Sequence, residues 1–114
     1  MAAVTLASGF RVGASLGARP FTTDPVDSSG GGTMRLDFQG TFDALTGAAV
    51  AVVDVAVETS ANSNGPWRTL GEVRLTKDST STRATITGVD SYSRLRGVFG
   101  GNGGVALTVS GTLL

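Results

Sequence analysis

The feature that most limits what this chain can become is a hydrophobic period of two. From Thr33 to Phe42 apolar Met34, Leu36, Phe38 and Phe42 alternate with polar Arg35, Asp37, Gln39 and Thr41. Successive side chains of a β-strand point to opposite faces, so this pattern predicts a half-buried strand. The period returns over Val50 to Ala61, where Ala51, Val53, Val55 and Val57 share one face and Asp54 and Glu58 the other. It recurs over Arg68 to Thr76, Thr82 to Val89, Tyr92 to Phe99 and Val105 to Leu114. Turn residues separate these runs: Asn62-Ser-Asn-Gly-Pro before Trp67, a polar link from Lys77 to Ser81, Asp90-Ser91, and a glycine-rich link from Gly100 to Gly104. The last two runs predict a hairpin across that glycine link.

The first third is less regular. Val4, Leu6 and Phe10 alternate and admit a strand over Met1 to Phe10. From Arg11 to Gly32 the pattern fails, and Pro20, Pro25 and the run Ser28-Ser-Gly-Gly-Gly32 mark irregular chain. Residues 1–32 are therefore expected to form an extended arm or loop region that lies over a neighbouring subunit, with a flexible segment as the alternative. Residues 33–114 are expected to form the β-sandwich domain. Asp43 to Val50 is the one candidate for a turn of helix, and Gly47 weakens it. The expected fold is all-β: an antiparallel β-sandwich or jelly-roll-like domain with an extended N-terminal arm.

Composition removes whole classes of chemistry. The 114 residues include no Cys and no His. Disulfides, thiolate nucleophiles, imidazole bases and their transition-metal sites are thus excluded. Nine basic and nine acidic residues leave a formal net charge of zero. Nucleic acid and anionic membrane surfaces call for a basic excess, so neither is expected as a partner. No apolar stretch approaches the ~20 residues of a membrane span. Met1 to Gly9 lacks a basic leader and a long apolar run, so a signal peptide is not expected.

Asp54 and Glu58 stand about 13 Å apart along one strand face, beyond the carboxylate spacing of glycosidases, and read as solvated strand-face charges. Gly100 to Gly104 lacks the helix and the Lys-Ser/Thr of a phosphate cradle and reads as a turn. Asp24 and Asp27 are too few oxygens for calcium. No catalytic, cofactor-binding or metal residue is expected, and no enzyme activity. Four residues remain as interface or ligand contacts: Trp67, Tyr92, Arg94 and Arg96. Trp67 and Tyr92 suit a small sugar platform, although Trp67 equally suits a cap over the core. Arg94 and Arg96 share a strand face, from which they can pair with Asp54 or Glu58 or reach across a subunit interface.

A resemblance adds to this reading. Val55 to Leu70 (VAVETSANSNGPWRTL), Ser91 to Arg96 (SYSRLR) and Val105 to Leu114 (VALTVSGTLL) resemble strands and turns of small β-sandwich structural proteins of tailed bacteriophages. The likeness covers about residues 50–114. It implies a virion structural protein, most of all a capsid decoration (cement) protein on the capsid exterior, made in the host cytoplasm. Its implied partners are the major capsid protein and copies of itself, as a homotrimer. The alternative is a carbohydrate- or receptor-binding module of a tail or head fibre.

Overall fold

The computed structural model describes residues 2–13, 19–29, 32–43, 51–101 and 103–114. Its elements are β1 (Ala2–Gly13), β2 (Arg19–Thr22), β3 (Val26–Asp27), β4 (Thr33–Phe42), β5 (Ala51–Ser60), β6 (Arg68–Thr76), β7 (Ser81–Thr87), β8 (Tyr92–Gly101) and β9 (Gly104–Leu113). The candidate helical turn lies, from residue 44 to 50, outside the described residues.

The strands form two antiparallel sheets. One is four-stranded in the order β1-β9-β4-β7; the other follows β2-β8-β5-β6, with β3 also paired to β8. With β3 set aside, the pairs β1–β9, β2–β8, β4–β7 and β5–β6 nest inside one another like one long hairpin. Rolling that ribbon up brings β9 beside β4 and β8 beside β5. This is jelly-roll topology, within the expected all-β antiparallel sandwich.

The period of two explains the core. Leu36 and Phe38 of β4, with Leu107 and Val109 of β9, face Val53, Val55 and Val57 of β5 and Leu95 and Phe99 of β8, and all are buried. Their polar neighbours in sequence point outward, which is what packs two sheets face to face. Gly97 of β8 has a role here: a side chain in its place would meet the Asp54 carbonyl oxygen and, at 2.7 Å, the ring of Phe21. The missing side chain lets Phe21 lie over β8, where its ring also meets Phe10 at 5.7 Å between centroids.

Two expectations are corrected. Residues 1–32 are not set apart from the sandwich. Ala2–Gly13 is a full edge strand on β9, and Val4, Leu6, Ala7 and Val12 are buried in the core. Bulges between Thr5 and Ala7 and between Ala7 and Phe10 interrupt its pairing, so its apolar residues drift out of phase. Arg19–Thr22 and Val26–Asp27 then line the edge of the second sheet. Buried hydroxyls fasten that stretch: Thr23 Oγ1 accepts from the Leu95 amide at 2.9 Å, and Ser28 Oγ donates to the Asp90 carbonyl at 2.8 Å and lies 2.7 Å from Ser93 Oγ.

The second correction concerns β8 and β9, which are not a hairpin. They belong to different sheets, and the Gly100–Gly104 link carries the chain across the sandwich. Gly101 and Gly103 have φ of 117° and 74°, a region that disfavours residues with a side chain. A glycine-rich link serves a crossing as well as a tight reversal.

Candidate functional site

The two outer faces differ in chemistry. That of the four-stranded sheet is rich in small hydroxyls, among them Thr5, Thr108, Ser110, Thr112 and Thr85, with Arg83 paired to Asp37 at 2.6 Å. The outer face of the five-stranded sheet carries Asp54, Glu58, Glu72, Arg74, Arg94 and Arg96, and strand register arranges them in rows. One row runs Thr22, Arg96, Ala56, Glu72 across β2, β8, β5 and β6. The next runs Pro20, Val98, Asp54, Arg74. On the other side lie Arg94, Glu58 and Thr69, and beyond them Tyr92 opposite Ser60.

Glu58 is the centre of this face. A bulge in β6 beside it sets Glu58 opposite Thr69. Arg94 Nε donates to Glu58 Oε1 at 2.8 Å, while Arg96 Nη1 stands 3.7 Å from Oε2, an ion pair without a hydrogen bond. The Glu58 side chain is only 4% exposed and Arg94 23%, whereas Arg96 is 67% exposed. The expectation of a solvated strand-face charge is thus corrected for Glu58. Two arginines fold over it because its neighbours on β8 are long and cationic. Arg94 is in turn held by Trp67, whose ring centroid lies 4.3 Å from the guanidinium carbon. A guanidinium over an indole face is attracted by the ring quadrupole.

The structure therefore brings the four singled-out residues onto one face. Tyr92, Arg94 and Arg96 follow from the period of two along β8. Trp67 arrives from the edge of β6, and its ring lies against Arg94 rather than among the side chains packed on the core. Of the two strand-face pairings open to the arginines, both take Glu58; Asp54 is taken by Arg74, whose Nε donates at 2.7 Å. That contact raises the Arg74 pKa further above its ordinary value. Arginine stays charged across accessible pH in any case. The sugar platform loses one aromatic face, since Arg94 covers a side of Trp67.

Beside this cluster lies a shallow open groove of about 360 Å³. Ala56 is at its floor, with Asp54, Glu58, Glu72, Arg96 and Val98 among its walls. Glu72, Ala56 and Val98 were not singled out by sequence. Each reads there as an ordinary outward residue, and only the strand order puts them in register. The arrangement offers ion pairs and an apolar shelf, and it suits recognition. Among the described residues no group of three or more His, Cys, Asp or Glu is placed to hold a metal ion.

The Trp67–Arg94–Glu58 stack predicts a stability effect. Glu58→Ala leaves a mostly buried guanidinium without its acceptor and is expected to destabilise by about 2–3 kcal/mol in urea unfolding. A double-mutant cycle on Trp67→Ala and Arg94→Ala is expected to return a coupling of about 0.5–1 kcal/mol. A coupling of zero contradicts the stack.

Comparison with protein-family models and with curated proteins returns no match for this chain.

Proposed function

We propose that this chain is a non-enzymatic structural protein of a virus particle, a decoration protein that covers a capsid shell and stabilises it through contacts with the shell and with its own copies. The observation that carries the reading is the outer face of the five-stranded sheet. Trp67, Arg94 and Glu58 are held together there on the jelly roll, with the Arg94 and Glu58 charges already paired and Arg96 exposed beside them. A surface held in one geometry before contact loses little side-chain entropy on binding. Many identical weak contacts on one particle then add through multivalency. The sequence likeness over residues 50–114 supplies the choice of particle.

The test is co-sedimentation of purified protein with expanded, undecorated shells. Saturable attachment in hundreds of copies per particle is the expected result. Attachment of a few copies points to a tail or portal location, and no attachment overturns the reading. Glycan binding that is lost in Trp67→Ala favours the carbohydrate-binding module instead.

A further inference from the structure

We infer that the outer face of the five-stranded sheet is self-complementary and pairs with the same face of a second copy about a two-fold axis running along β5. In this pairing Arg96 of each copy meets Glu72 of the other. The inference rests on reading this face as an assembly surface.

The row Thr22, Arg96, Ala56, Glu72 carries the argument. Neighbouring strands lie about 4.8 Å apart, so Arg96 and Glu72 stand on either side of Ala56 at nearly equal distances. Glu72 is exposed and takes part in none of the ion pairs among the described residues. Arg96 is 67% exposed and makes one long contact, to Glu58 at 3.7 Å. One wall of the groove thus holds a cation with unused donors, the other an anion with unused acceptors. The floor between them presents only the methyl group of Ala56.

A two-fold axis along β5 exchanges the two walls while keeping the row. It sets Arg96 against Glu72 twice and Ala56 against Ala56, the symmetry of an isologous contact. In the next row Val98 and Arg74 flank Asp54, and the same operation lays Val98 on the aliphatic stem of Arg74. Val98 is 43% exposed, one of two exposed large hydrophobics among the described residues. The same operation sets Asp54 against Asp54 and Glu58 against Glu58 on the axis; each carboxylate is already paired within its own chain, Asp54 with Arg74 and Glu58 with Arg94, which offsets that like-charge contact. Both halves of the ion pair lie on one face of one chain, which is why the occupant is a second copy rather than another protein.

The experiment is sedimentation equilibrium of the full chain in free solution. A monomer–dimer equilibrium is expected, weakening as salt rises from about 0.05 to 0.5 M because its ion pairs are exposed. Glu72→Arg alone, or Arg96→Glu alone, places like charges together twice and is expected to weaken association at least about tenfold. The combined reversal, E72R with R96E, restores it to within about threefold. A monomer or a trimer at all concentrations overturns the inference, as does a combined reversal no better than the single ones. The salt series needs no variant and decides the matter if a reversal misfolds; salt-independent association then counts against the pairing. Shell attachment by a protein that stays monomeric sinks this inference alone. Dimerisation without shell attachment sinks the decoration reading alone.

Discussion

Deleting residues 1–13 is expected to leave a chain that does not fold cooperatively. The deletion removes β1, and with it Val4, Leu6, Ala7 and Val12 from the core. Full burial of a Val or Leu side chain is worth about 1.5–3 kcal/mol, so the three larger residues alone supply about 5–9 kcal/mol. That is comparable with the whole stability of an ordinary domain, about 5–15 kcal/mol. The loss also uncovers the amides of β9, an apolar strand that then becomes a sticky edge. Near-UV circular dichroism and a thermal melt are the measurements. A sharp melting transition in the truncated protein means that β1 is dispensable, as an arm would be.

A single methyl group at residue 111 is expected to do nearly as much. Gly111 lies in β9 between Val4 of β1 and Leu36 of β4. A Cβ there overlaps the backbone carbonyl of Arg35 and comes within 3.0 Å of the Leu36 Cα. Backbone in the middle of a sheet cannot rotate aside as a side chain does, so two strands must separate. Gly111→Ala is expected to cost more than about 3 kcal/mol. At about 4 °C per kcal/mol this lowers Tm by about 12 °C or more. Gly100→Ala is the control, because a Cβ at Gly100 meets nothing within 4 Å. Equal melting temperatures for the two variants contradict the close approach.

Much of the fold is legible in the period of two, because burial on one face of a strand writes itself directly into residue order. Thr33–Phe42 and Arg68–Thr76 have the same bounds in sequence and structure. What defeats the pattern is physical in each case. In β1 the alternation is visible at Val4, Leu6 and Phe10, but two bulges shift its phase, and nothing local says that the strand belongs to the core and not to an arm. At Gly100–Gly104 the same glycines serve a reversal or a crossing, and nothing local says which sheet the next strand joins. The candidate face divides the same way. Tyr92, Arg94 and Arg96 are one face of one strand. The meeting of Trp67 with Arg94, the burial of Glu58, and the row through Ala56 and Glu72 depend on β5 lying between β8 and β6, which is a property of long-range pairing.

The place of β1 has a consequence in time. Its hydrogen-bonded neighbour is β9, and Ala2 lies opposite Leu113. A ribosome emits the first of these segments long before the second. Throughout synthesis the leading strand stays solvent-bathed and unmatched, and no partial product offers it the neighbour it keeps in the end. Contacts between distant parts of a chain also form slowly once the chain is free. Pairing of β1 therefore waits on β9, and chains cut short of β9 are expected to be the species most prone to clump.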